Sequence, residues 1–294
     1  MVFDGDRVYA KEAYGRTMPN SSWVRGRVTR DDRRGLFRYP RPMTKISEPC
    51  VLLGGDENYA HWLLRCVLRL SLIEGEPQLK QLPLLLNDDC LSFQREYLDL
   101  LEVSENRRRF LERDTVVDCA ELYVATQFRG HPRVAEAVTW LRERLVSHLR
   151  PTGQAQRLFV SLADSTRRVL RNEAEIYERL RGSGFVRIVP GQMRVVDQMR
   201  AFAAADVVVA AQGAALSNIV FCRPGTRVIS LARIEIKGVD VFTWLARELS
   251  LDLQNVVAAQ LAPDESVSDP DSVRQDFEIS PDAVEAALRA VDIV

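Results

Sequence analysis

The tetrapeptide Gln212-Gly213-Ala214-Ala215 separates two apolar runs, 207–211 and 216–222. The first run shows no polar alternation, which is the pattern of a central parallel strand buried on both faces. Small residues at the carboxyl end of such a strand leave backbone N–H groups free at the start of the next helix, and that arrangement suits phosphate. Gly213 is expected to let the chain turn sharply and to let a ligand approach the backbone. Asn218 offers an amide to a phosphate or a nucleoside, or else holds the helix corner together. The bland alternative for the whole stretch is a tight strand–helix–strand corner with no ligand. Arg167, Arg168 and Arg171 form a second group, just before another helix. Guanidinium forks match phosphate oxygens bidentately and stay charged, although such a run also suits a solvated surface corner.

A third place carries proton chemistry. His61 sits in the first turn of a helix that follows a strand and the Gly54-Gly55 turn. The positive end of that helix disfavours imidazolium, and a neutral imidazole is what a general base needs. A hydrogen-bonded structural histidine beside Trp62 is the competing reading. Asp56 and Glu57 are rival bases on the same turn, and either is also a good helix N-terminal residue. Asn87-Asp88-Asp89 has the look of an acidic metal-binding motif, but a polar strand end accounts for it as well. The cysteines are scattered and the histidines form no ligand pair, so no structural zinc and no other metal site is expected.

These groups need elements to hold them. The pattern predicts strands at 50–53, 83–86 and 122–125, with helices at 59–73, 92–103 and 134–148. Residues 1–48, rich in Arg, Gly and Pro, read as an irregular or short-stranded arm. Pro151-Thr152-Gly153-Gln154 breaks the pattern and marks a domain boundary, giving domains 1–150 and 151–294. In the second, strands are expected at 157–161, 185–189, 207–211 and 227–231. Helices are expected from Asn172, with Asn172 and Glu175 as a capping box, and around 195–203, 216–222 and 241–249. Residues 262–275 read as a loop, and 281–291 as a final helix packing across the two halves. Such alternation predicts an α/β protein of two Rossmann-like domains with a cleft between them.

Bulk properties narrow the classes. The chain has 294 residues, 46% apolar and 28% charged, with a formal net charge of −1. That is a globular composition with no global attraction to nucleic acid or to a membrane surface. No segment has the apolar length of a membrane span and no signal-peptide core opens the chain, so a cytoplasmic protein is expected. The five cysteines read as small core residues in a reducing compartment. No G-x-G-x-x-G follows any predicted strand, which argues against a nicotinamide enzyme.

Three stretches in order resemble the family 61 glycosyltransferases: "NYAHWLLRCVLRLSLIE" at 58–74, "RLFVSLADSTRRVLRNEAEI" at 157–176, and the stretch from Val207 through "FCRPGTRVISL". The resemblance implies a GT-B-like fold and inverting, metal-independent transfer without a cofactor. It also implies a nucleotide-sugar donor, UDP-linked by expectation, held by the C-terminal half. A glycan or other hydroxyl acceptor would be held by the N-terminal half. On it, Arg167, Arg168, Arg171, Gln212, Gly213, Ala214, Ala215 and Asn218 are donor-binding candidates, and His61, Asp56 and Glu57 are candidate bases. The chain departs from the family pattern at Arg65, Leu162, Gln212 and Ser230. The alternative is a nucleotide-sugar-binding or scaffold protein on the same fold with weakened catalysis.

Overall fold

The computed structural model describes residues 3–4, 7–8, 29–31, 34–36, 43–87, 90–112, 116–125, 133–149, 156–165, 169–233, 240–258 and 276–293. Two compact units emerge, one of residues 1–57 with 64–131, the other of 58–63 with 132–294.

In the first unit, β1 (Phe3–Asp4) pairs with β2 (Arg7–Val8), and β3 (Thr29–Asp31) with β4 (Arg34–Leu36), both antiparallel. These short pairs lie in the described part of the N-terminal arm. A parallel pair comes next, β5 (Met43–Ile46) with β9 (Val116–Cys119). The main sheet has four parallel strands in the order β10 (Leu122–Val124), β6 (Cys50–Gly54), β7 (Leu84–Asn87), β8 (Arg108–Leu111). Its central strands are apolar on both faces: Val51, Leu53, Leu84, Leu85 and Leu86 are all buried. The Gly54-Gly55 turn has a local cause. Gly54 adopts φ +84°, a left-handed conformation that penalises a side chain, and a Cβ on Gly55 would lie 2.8 Å from Asn87 Nδ2. That Asn87 amide donates to Gly55 O at 3.1 Å.

The helix expected at 59–73 is a composite. It runs as α1 (Tyr59–His61), a π-helical stretch Trp62–Val67 and α2 (Arg69–Gly75). π-Helical insertions are uncommon and cluster at functional sites. Trp62, Leu63, Cys66, Val67, Leu68, Leu70 and Ile73 are buried. The first unit, to which residues 64–75 of that helix belong, also holds α3 (Ser92–Leu100), whose N-terminus is closed by Gln94 Oε1 accepting from Leu91 N at 2.8 Å.

The second unit begins earlier than Pro151. Helix α4 (Val134–Arg144) belongs to it. The physical reason is Arg142, whose Nε donates to Val220 O and whose Nη2 donates to Cys222 O, each at 2.6 Å. The sheet is fully parallel, in the order β12 (Phe185–Ile188), β11 (Gln156–Val160), β13 (Ala205–Ala211), β14 (Arg227–Ala232), β15 (Asp252–Val257). One face packs on α5 (Glu173–Arg181) and α8 (Pro281–Arg289), enclosing Phe159, Ile176, Leu180, Val209, Ile229, Leu231, Val284 and Leu288. Helix α8 packs on α5, β14 and β15. Helices α6 (Val195–Ala204) and α7 (Val241–Glu248) complete the unit.

Two local expectations are corrected. Asn172 does not cap α5 with its side chain. Its amide instead spans to Ile279, donating Nδ2 to Ile279 O at 2.8 Å and accepting Ile279 N at 3.2 Å, and so fixes the entry to α8. The helix expected at 216–222 is a 3-10 helix, Ala214–Phe221. Residues 262–275 lie outside the described residues, as do Asp88 and Asp89.

Candidate functional site

In open parallel sheets the carboxyl ends of the strands are where ligands bind. At the end of β13 the ladder continues for one residue, with Gln212 N donating to Leu231 O at 2.9 Å. Gly213 comes next in a fully extended conformation, φ −160° and ψ −177°. Any residue adopts that backbone, and a Cβ there would meet Leu162 Cδ2 at 3.4 Å, an ordinary contact. Gly213 is therefore not required by a sharp turn, contrary to the expectation. The 3-10 helix then starts at Ala214, and its first closing bond is Leu216 N to Gly213 O at 3.1 Å. The amides of Ala214 and Ala215 have no partner among the described residues. Both residues are partly exposed. Unpaired N–H groups at the positive end of a helix are the kind of donors that suit an anion. The opposite end of the same segment is closed by the Arg142 guanidinium on Val220 O and Cys222 O, a cation where the helix carries partial negative charge.

Asn218 resolves to the second of its two readings. It is completely buried. Its Oδ1 accepts from Tyr59 Oη at 2.6 Å, and its Nδ2 donates to Gln198 Oε1 at 3.0 Å. Gln198 in turn donates Nε2 to Pro190 O at 2.8 Å. Both ends of the Asn218 amide are thus taken by protein. The chain Tyr59–Asn218–Gln198 anchors the turn that carries His61 to the segment that begins with the open amides. All of these residues lie within the second unit. His61 itself is half-buried, and its backbone N donates to the Asn58 side chain at 3.1 Å, a cap of the helix start. Asp56 and Glu57 belong to the first unit. Glu57 is exposed, and Asp56 is held through its carbonyl, which accepts Gln94 Nε2 at 2.8 Å.

The end of β11 is occupied from inside. Glu173, at the start of α5, turns its carboxylate back onto this turn. It accepts from Ser161 Oγ at 2.5 Å, from Leu162 N at 2.7 Å and from Arg187 Nη2 at 2.8 Å. Ser161 is fully buried and Glu173 nearly so. Arg167 and Arg168 lie outside the described residues. Arg171 points to Asp276, 3.7 Å away, with 65% of its side chain exposed.

A further polar chain crosses the ends of β13 and β15. Gln212 Nε2 donates to Asn255 Oδ1 at 3.2 Å, Asn255 Nδ2 to Thr243 Oγ1 at 3.3 Å, and Thr243 Oγ1 to Asp240 Oδ2 at 2.6 Å. The Ser230 hydroxyl is buried beneath, without a hydrogen-bond partner among the described residues. Among the described residues no group of three or more His, Cys, Asp or Glu side chains is placed to hold a metal ion. No helix among them is long and apolar enough to cross a membrane.

Sequence reasoning missed Tyr59, Gln198, Glu173 and Asn255. Glu173 had a local signal, an acidic residue opening a helix soon after a strand-end serine. The others had none, because their partners are distant in sequence.

Among known proteins, a family model described as glycosyltransferase 61 matches residues 59–229, which span Tyr59, His61, the β11 turn and the open amides. No curated protein matches the sequence. Two solved structures are similar at low identity. One is the bacterial iron-containing dodecameric glycosyltransferase TibC from enterotoxigenic E. coli H10407, with 11% identity and a TM-score of 0.35, covering 70% of this chain and 65% of that one. The other is the dodecameric iron-containing heptosyltransferase TibC in complex with ADP-D-beta-D-heptose, with 12% identity and a TM-score of 0.38, covering 87% of this chain and 79% of that one.

Proposed function

The chain belongs to the glycosyltransferase 61 family, and from that premise we propose that it moves a sugar from a nucleotide-sugar, UDP-linked in the first instance, to a hydroxyl acceptor. The transfer is inverting and metal-independent, and the two units take the GT-B arrangement with the donor on the second. The observation that carries this reading is the pair of unpartnered amides at Ala214 and Ala215, at the carboxyl end of the second sheet. A leaving diphosphate needs preorganised positive charge or N–H dipoles, and these groups supply dipoles without reorganisation. Arg168 is the side chain assigned to the same diphosphate. His61 is assigned as the base that takes the acceptor proton, since the Tyr59–Asn218 bond ties its turn to the donor segment.

A thermal-shift panel of nucleotide-sugars tests donor binding, because a ligand of the native state raises apparent stability. With a donor in hand, His61→Ala should reduce transfer or donor hydrolysis by roughly 10²–10⁴-fold while donor affinity holds. Full activity in that variant, with loss in Asp56→Asn or Glu57→Gln, moves the base to a carboxylate. Binding without any turnover in the parent protein favours a scaffold role.

A further inference from the structure

The polar chain from Gln212 to Asp240 has a direction. Both oxygens of the Asp240 carboxylate accept: Oδ1 takes Phe242 N at 2.8 Å and Thr243 N at 3.1 Å, and Oδ2 takes the Thr243 hydroxyl at 2.6 Å. An acceptor-only group at one end forces Thr243 to donate, so its oxygen is free to accept from Asn255 Nδ2. Asn255 has then used its amino group, and its Oδ1 accepts from Gln212 Nε2. The amide of Gln212 is left with its carbonyl oxygen as the outward group, and that oxygen has no partner among the described residues. Gln212 immediately precedes Gly213 and the open amides, so an acceptor stands beside an anion receptor.

We propose that Gln212 reads a hydroxyl group of the donor rather than its phosphate, and that Asn255 and Thr243 are positioning residues that aim it. This rests on the donor-site reading under Proposed function. Phosphate oxygens only accept hydrogen bonds, so they gain nothing from a carbonyl. The hydroxyls of a ribose or of a transferred sugar donate. The chemistry shared by both sources is an O–H directed at the Gln212 Oε1 atom, and matched deoxy ligands separate them. Removing that hydroxyl leaves the carbonyl facing a ligand that cannot satisfy it, which turns one hydrogen bond into discrimination.

Titration calorimetry on the full chain tests this with UDP against 2′-deoxy-UDP and 3′-deoxy-UDP for the ribose, and with UDP-glucose against UDP-2-deoxyglucose for the sugar. The wild type should bind one deoxy ligand roughly 3–10-fold more weakly than its hydroxyl partner, the worth of a neutral hydrogen bond. Thr243→Val interrupts the relay yet keeps the Asp240 bonds to the amides of Phe242 and Thr243, so α7 keeps its cap. That variant and Gln212→Met should bind the same pair within about twofold, since the aimed acceptor is gone. A merely structural role would lower the melting temperature without changing this ratio. Equal wild-type affinity within every pair overturns the proposal and leaves the donor site standing, as does full discrimination in Thr243→Val. Failure of all these ligands to bind overturns both readings together.

Discussion

Two neighbouring strands of one sheet end differently. After β11, the amide of Leu162 and the hydroxyl of Ser161 point at a carboxylate that the protein supplies itself, Glu173. After β13, the amides of Ala214 and Ala215 point at nothing the described protein supplies. Both turns come after buried parallel strands, and both open toward a helical segment. The difference lies in the residues downstream of each strand: an acidic residue at the start of α5 in the first case, small apolar residues in the second. An internal carboxylate satisfies a strand-end turn and rigidifies it. Small residues leave the same kind of turn unsatisfied and accessible, which is a condition for binding an external anion.

Ala214→Pro should break the comparison most sharply. It deletes one open N–H, and the extended Gly213 before it already has the backbone that a following proline demands. The first helical position also tolerates proline. Affinity for UDP should fall by about 1.5–3 kcal/mol, the worth of a hydrogen bond to a charged group, with little change in melting temperature. Arg168→Ala should give a loss of similar size in the same titration. An unchanged affinity in both would move the diphosphate elsewhere.

Glu173→Gln tests the filled turn. It removes the charge facing Arg187 and turns an acceptor into a donor in a nearly buried place. Stability by urea denaturation should drop by about 1–3 kcal/mol, while UDP affinity of the remaining native protein stays within about threefold. The opposite pattern would put Glu173 in the ligand site. Tyr59→Phe should cost about 1–2 kcal/mol of stability, because Asn218 Oδ1 then loses its phenolic donor in a fully buried position.

The smallest effect concerns thiols. Burial pushes Cys66 and Cys222 up from 9.0 to about 12, and burial with the neighbouring Cys119 thiol does the same for Cys50. A thiol whose native pKa is raised favours the native state below the unfolded value and loses that contribution as pH climbs toward the native one. Stability should therefore decline between pH 9 and about 12, and these three should resist iodoacetamide at pH 8. Alkylation of Cys222 under native conditions would show that the segment behind the open amides unfolds locally. That would weaken its contrast with the β11 turn.

The residue pattern by itself determined the parallel strands that position the site, because β6, β7, β13 and β14 are buried on both faces and so read as unbroken apolar runs. It also located the small-residue turn after β13 and the His61 turn. It did not reveal β15, whose residues Asp252–Val257 are mostly exposed and polar on an edge of the sheet, nor β8, an edge strand opened by two arginines. Edge strands lack the two-sided burial that makes the central ones legible. Only the tertiary structure decided what the polar residues do. Asn218 is a strut because Tyr59, 159 positions away, donates to it. Asn172 serves Ile279, 107 positions on, instead of its own helix. Gln212 is aimed by Asn255, 43 positions later. An amide is donor and acceptor at once, so its role belongs to whichever partners the fold brings within hydrogen-bonding distance, and local sequence carries no record of that choice.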